Sequence, residues 1–331
     1  MPTIPSTALP TPFLTRRQTI GGLAALAGIG SARAQVERPL RFILPFAAGS
    51  GVDTIARSSS NALAKALGQP VVIENQPGAG GVVGTAAMVR AAPDGQTLSF
   101  VSNNHVIYPS VIKSLPFDPV NDITPIAIMG NTPLVLVVNP SVPAKNAKEL
   151  VALLKANPGK FNYASSGNGT ILHLATEMFK AVTNTFVTHI PYRGVGPMMT
   201  DIISGQVAMG TLALPAIQAH LKSGALRAIG MPSAQRSAAA PDIPTFAEQG
   251  YPTYLVDGWF AVIGPKGLST AQVERVHGAL TTAFNTPEVK DSMAHQGNII
   301  AISTPQSASA FFRSELVKYA TLVKRAGLVA E

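Results

Sequence analysis

Apolar positions along this chain switch repeatedly between the run of a buried strand and the spacing of an amphipathic helix. LRFIL (40–44) reads as a short strand, and Ile55, Ala56, Ser59, Ala62, Leu63, Ala66 and Leu67 then recur on one helical face. The pattern predicts a helix over 52–67, stopped by Gly68 with Pro70 beyond it. PVVIE, a helix over 85–91, the turn Ala92-Pro93-Asp94-Gly95 and TLSFV continue the series. Strand–helix alternation of this kind predicts a mainly parallel sheet covered on both faces.

A second series repeats the logic: helix 146–156, FNYAS, helix 170–182, FVTHIPY, helix 197–204, QVAMGTLA, helix 213–223 and LRAIGM. Two long strands bracket it, LVLVVNPS (134–141) and WFAVIGP (259–265). Two α/β blocks joined by two extended crossings predict a hinged, two-lobed body. The helices at 271–284, 288–296 and 306–325 are expected to pack back on the first lobe.

Two strand-to-helix junctions are built alike, LRFILPFAAGSGVD (40–53) and FNYASSGNGTILH (161–173). In each, a Gly/Ser-rich turn opens a helix, so unpaired N–H groups and the positive end of a helix dipole point at one spot, which suits an anion. Asp53 on its own reads as an acid favouring a helix start; the repetition of the loop favours a ligand. Tyr192-Arg193-Gly194 places an aromatic and a cation at another such junction, fitting either a solvated loop or a cleft. Asp257 and Trp259 sit at the second crossing, where hinge and cleft would meet, although Trp259 also suits a core.

Composition narrows the chemistry. At 331 residues the chain is long enough for two domains. It has no cysteine, which excludes disulfides, Cys-ligated zinc, Fe–S clusters and thiol catalysis. Six scattered histidines form no H-E-x-x-H or similar cluster, so no metal is expected. Gly78-Ala79-Gly80-Gly81-Val82-Val83-Gly84 departs from the dinucleotide fingerprint and reads as a tight turn, so no cofactor is expected. No G-x-S-x-G surrounds Ser165 or Ser166, so the residues lack a hydrolase constellation.

Residues 1–34 read as an export signal: Arg16 and Arg17, a weakly apolar run over 20–30, then Ala32-Arg33-Ala34 as a cleavage site. The paired arginines point to the twin-arginine route. Removal of the segment takes the formal charge from +8 to +5, because it carries three arginines and no acid. That mild positive field favours an anionic ligand, while the scattered basic residues make nucleic acid a poor partner.

The ordered set PFAAGSGVD, LGQPVVIENQPGAGGVVGTAA, APDGQTL, NYASSGNGT with HLA, HIPYRGVGPMMTDIISGQV, PDIPTFAEQGYP and WFAVIGPKG resembles the Bug family of periplasmic solute receptors. That family includes the substrate-binding components of tripartite tricarboxylate transporters. The resemblance covers essentially the whole mature chain. It implies a two-lobed type II periplasmic binding-protein fold of two mixed sheets, with helices on both faces and a ligand cleft between the lobes. It also implies a carboxylate gripped by Phe46, Ala48, Gly49, Ser50 and Asp53 from the first loop, and by Ser166, Gly167, Asn168, Gly169 and Thr170 from the second. Tyr192 and Asp257 are the further ligand-binding candidates.

The expected protein is therefore a non-catalytic periplasmic monomer that captures a di- or tricarboxylate, an aromatic acid or an acidic amino acid and passes it to integral membrane transporter subunits. Lobe 1 is expected at 35–137 plus 260–331 and lobe 2 at 138–259. A ligand-sensing module for a membrane kinase and, further off, a secreted hydrolase are the alternatives. Neutral donors, the N–H groups of Gly49, Ser50 and Gly169 and the hydroxyls of Ser166 and Thr170, are expected to hold the carboxylate in preference to Arg193. N-terminal sequencing of the exported protein should find Gln35 first, and replacing Arg16 and Arg17 with Lys should stop export; retention of Met1 would refute the signal.

Overall fold

The computed structural model describes residues 38–330. The export segment, with Arg16, Arg17, Ala32-Arg33-Ala34 and the start at Gln35, lies outside the described residues. In strand β1 (Leu40–Leu44), alternate side chains serve opposite faces of a sheet. Leu40, Phe42 and Leu44 join one apolar cluster with Ile55, Leu63, Phe100, Phe260 and Phe284. Ile43 joins Val101, Ala261 and Tyr319 in the other. Each fully buried Leu or Phe contributes roughly 1.5–3 kcal/mol relative to exposure.

The strands form two mixed sheets. In the first, β11 (Ile299–Ile300), β4 (Ile123–Thr132), β10 (Gly258–Pro265), β3 (Thr97–Ser102), β1 and β2 (Val71–Asn75) lie side by side in that order. β1 is parallel to β2 and β3, with Leu40 opposite Val71 and Arg41 opposite Thr97. In the second, β7 (Thr188–Pro191), β6 (Asn162–Ser165), β8 (Met209–Ala213), β5 (Leu134–Val138) and β9 (Arg227–Gly230) are neighbours in that order. β6 is parallel to β7 and β8, while β5 is antiparallel to β8 and β9. The result is a two-lobed α/β architecture within one compact unit.

Helix α1 (Gly51–Leu67) starts at Ser50, whose hydroxyl accepts from the Asp53 N–H at 3.2 Å, and stops at Gly68 with φ 71°. Helix α2 (Val82–Val89) follows a 3-10 turn at Ala79–Gly81, and α3 (Asn104–Val111) follows β3. On the second sheet lie α4 (Ala147–Ala156), α5 (Ile171–Thr183), α6 (Val195–Ser204) and α7 (Leu214–Lys222). The last three helices bridge more than expected. α8 (Thr270–Phe284) packs on α1, but α9 (Pro287–Gln296) touches both α1 and α7, and α10 (Pro305–Arg325) lies against α3, β4 and α5.

The change between sheets falls at Pro133 on the way out and at Gly258 on the way back. β5 pairs wholly within the second sheet, so a lobe boundary between residues 137 and 138 would cut through it. The two crossings touch: Gly258 stands opposite Thr132, and a side chain on Gly258 would meet the Thr132 carbonyl at 2.7 Å. Strand β4 escapes a reading by pattern because Pro125 and Gly130 interrupt it. The register shift between Val262 and Ile263 accommodates Pro125, and Gly130 holds φ 149° where a Cβ would lie 2.0 Å from Ile299 O.

Asn103 fixes the returning strand. Its side-chain oxygen accepts from the Trp259 N–H at 2.9 Å, and its amide donates to Asp257 O at 3.0 Å and to the Tyr319 hydroxyl at 2.5 Å. Trp259 in turn donates from its indole to the buried Glu315 carboxylate at 2.8 Å. Asn103→Ala strands several buried polar groups at once, so it should lower the unfolding free energy by about 2–4 kcal/mol, read from urea unfolding; an unchanged midpoint would show that Asn103 is dispensable.

Candidate functional site

Four strand-to-helix loops converge on one cavity of about 650 Å³. They follow β1, β2, β6 and β7, placing the cavity at the carboxyl ends of parallel strands, where open α/β sheets place ligands. Pro45, Phe46, Ala47 and the Pro77–Gly81 loop form one wall together with Asn104, Val111 and Ile112 of the α3 segment. Ser166, Gly167, Asn168, Thr170 and residues 191–195 form the other. A narrower extension beneath shares Phe46, Asn104, Ser166 and Val195 and reaches Ser50, Thr132 and Trp259.

The first loop is already occupied by its own acid. The Asp53 carboxylate, 4% exposed, accepts from Gly49 N–H at 2.9 Å, from Arg57 Nε at 2.9 Å and from Asn75 Nδ2 at 2.9 Å. Burial pushes its pKa up, but the hydrogen bonds from Arg57, Gly49 and Asn75 outweigh that and hold it below the ordinary carboxylate range. The Ser50 N–H goes to Ala47 O at 3.3 Å, and the Ser50 hydroxyl caps the helix. Neither Gly49 nor Ser50 therefore presents the free N–H expected of it.

The second loop is clamped from below. Thr170, 1% exposed, accepts from His173 N–H at 3.3 Å and donates to Gly167 O at 2.9 Å. The Gly169 N–H donates to His173 Nδ1 at 3.1 Å. His173 stacks on His189 with centroids 3.9 Å apart, and His189 stacks on Tyr163 at 4.8 Å. Ser165 Oγ pairs with His189 Nε2 at 2.6 Å, a Ser–His contact that spacing alone did not reveal. Ser165 is fully buried and lines neither the cavity nor its extension, so the pair supports the loop and is closed to a substrate.

The free polar groups lie beside this clamp. Ser165 is opposite Pro191 in the parallel register, which sets Ser166 next to Tyr192 and Arg193. Tyr192 is committed: its hydroxyl donates to Asp201 at 2.6 Å, and burial together with that carboxylate pushes its pKa up to about 12. Arg193 is exposed, is the one charged side chain among the described lining residues, and has no acid partner among them. It precedes α6, whose Gly194 N-cap offers no side-chain cap and keeps φ 127°.

The two walls are nearly in contact. A Cβ on Gly194 would lie 2.8 Å from that of Ala47, and one on Gly80 would lie 3.3 Å from Asn168 O. Asn104 spans the gap, donating to Gly80 O at 3.0 Å and accepting from the Ile171 N–H at 2.8 Å, the first residue of α5.

The described residues 55–328 match the model of the tripartite tricarboxylate transporter family receptor. The chain belongs to this receptor family. It is 37% identical over 313 residues to protein BugT of Bordetella pertussis, covering 93% of this chain and 96% of BugT. The structure of the periplasmic binding protein BugD superposes with a TM-score of 0.86 at 30% identity, covering 89% of this chain and 99% of that one. A protein of R. palustris solved with adipate gives a TM-score of 0.86 at 27% identity, with 89% and 99% covered.

Of the residues expected at the receptor's site, Phe46, Ser166, Gly167, Asn168, Thr170 and Tyr192 line the cavity, and Ser50 lines its extension. Ala48 and Gly49 face solvent, Asp53 is spent within its loop, and Gly169 is tied to His173; none of these four lines the cavity. Asp257 is exposed and lies outside the lining, although Gly258 and Trp259 beside it form part of the floor. The Gly78-Ala79-Gly80-Gly81 turn, read as structural, is instead part of the wall, and Asn104 was missed. The glycine-rich turn at a strand-to-helix junction was the signal available for the former.

Burial, the neighbouring His189 and Lys180 together lower the His173 pKa to about 3. A histidine that resists protonation when folded leaves the unfolded chain binding more protons between its ordinary pKa near ~6.5 and that value. The receptor should lose stability as pH falls through this window, by at most about 1.4 kcal/mol per unit from this group. His173→Gln should flatten that part of the melting-temperature profile; an identical slope would assign it elsewhere.

Proposed function

We propose that this receptor captures a small carboxylate in the periplasm and delivers it to the integral membrane subunits of a tripartite tricarboxylate-type transporter, making and breaking no bond. The observation that carries the reading is the cavity between two sheets whose one charged lining side chain is Arg193, without an acid partner among the described residues. A lone cation on an otherwise neutral wall attracts an anion and fixes its orientation. The adipate-bound relative supports a carboxylate as that anion.

Capture proceeds by closure of residues 133–257 against the remainder about the paired crossings at Thr132-Pro133 and Gly258. Ligand that touches both walls binds the closed form better and shifts the population toward it. No base reaches Ser166, whose hydroxyl has no partner among the described residues, which supports binding without turnover. A carboxylate present at about 100 times its dissociation constant should stabilise the receptor by ~2.7 kcal/mol, visible as a melting shift. Mass spectrometry should recover that ligand unaltered; a transformed product would establish an enzyme.

A further inference from the structure

The cavity divides sharply by polarity. On the wall built from the first sheet, the side chains of Phe46, Pro77, Ala79, Val111 and Ile112 are apolar, and the polar one there, Asn104, is neutral and already gives one N–H to Gly80 O and accepts from the Ile171 N–H. On the opposite wall, Thr170 and Tyr192 are committed to Gly167, His173 and Asp201, and Asn168 also has a partner. Ser166 and Arg193 are left uncommitted, both in the lining and on the loops that follow the paired strands β6 and β7.

We propose that this cleft is specific for a singly charged carboxylate with an apolar body, its carboxylate on Arg193 and Ser166 and its body against the first-sheet wall. The proposal rests on the carboxylate-receptor reading and names the ligand class within it. An Arg–carboxylate pair is strong and directional, and the neighbouring hydroxyl can donate to a remaining lone pair. The body then displaces water from apolar side chains, the driving term in most small-molecule pockets. A second carboxylate finds no such partner. It would lie against apolar side chains and the Gly78–Gly80 backbone with no second cation in the lining, and an anion without a charged partner there is costly to desolvate. The site thus rejects dicarboxylates through a charge left unpaired.

Isothermal titration at neutral pH with benzoate, hexanoate, benzamide, malate and citrate tests this. Benzoate or hexanoate should bind at least about tenfold more tightly than malate or citrate, and benzamide, which lacks the charge, should bind more weakly still. Arg193→Gln should weaken the preferred monocarboxylate by roughly thirtyfold or more, and Arg193→Lys, which keeps the charge, by less. Arg193 is exposed, so both variants should melt with the parent. Malate or citrate binding best would overturn the monocarboxylate assignment while leaving a carboxylate receptor in place. Unchanged benzoate or hexanoate affinity in Arg193→Gln would overturn the role of that cation. Failure of every carboxylate to bind the parent protein would overturn both this inference and the receptor reading beneath it.

Discussion

Every α-helix leaves its first backbone N–H groups without partners inside the helix, and this receptor brings four such helix starts to one place. The way each start is satisfied determines what remains for a ligand. Ser50 and Asp53 complete the first start, and Thr170 with His173 completes the start of α5, with Asn104 reaching across to its first N–H. The start of α6 receives no side-chain cap. The start of α2, after the Gly78–Gly81 turn, likewise has no side-chain cap, so two of the four starts keep their N–H groups free of side chains, and only the one at α6 has a cation, Arg193, beside it.

Small residues allow this convergence. Gly194 faces Ala47 and Gly51 faces Ala213 at separations that leave no room for an added methyl group, and Gly80 faces the carbonyl of Asn168 at one that would force a small shift. Side chains at these positions would hold the walls apart and open the cavity to water. The buried support beneath, in which two imidazoles and a tyrosine ring stack against one another, gives the second loop a stiff base. Precise placement of Ser166 follows from that base and from the parallel register with β7.

The two-block organisation was legible because strands and helices alternate with clean punctuation, as at Gly68, and because both crossings carry continuous apolar runs. Strand β4 was not, since Pro125 and Gly130 break its pattern, and its place is set by pairing with residues more than a hundred positions away. Helix α3 was hidden by Pro109 within it. The two Gly/Ser-rich loops were found at the cleft, yet their donors were assigned too freely. Composition shows that N–H groups and hydroxyls are present; it does not show that Asp53 and His173 fold back to take them. The lack of an acid beside Arg193 was out of reach for the complementary reason, because it is a property of the folded neighbourhood.

Asn104 carries a consequence for the empty molecule. Its amide joins the first wall to the start of α5 through hydrogen bonds made wholly within the protein. Each such contact is worth about 0.5–1.5 kcal/mol, and in the closure proposed above it favours the shut form whether or not anything is inside. The ligand-free state is thereby biased toward the shape of the loaded one. Affinity benefits, because less of the binding energy goes into bringing the walls together. Discrimination suffers by the same amount: a membrane partner that recognises only the shut surface would engage some vacant molecules. The strength of one side-chain amide thus sets a compromise between scavenging at low solute concentration and avoiding unproductive docking.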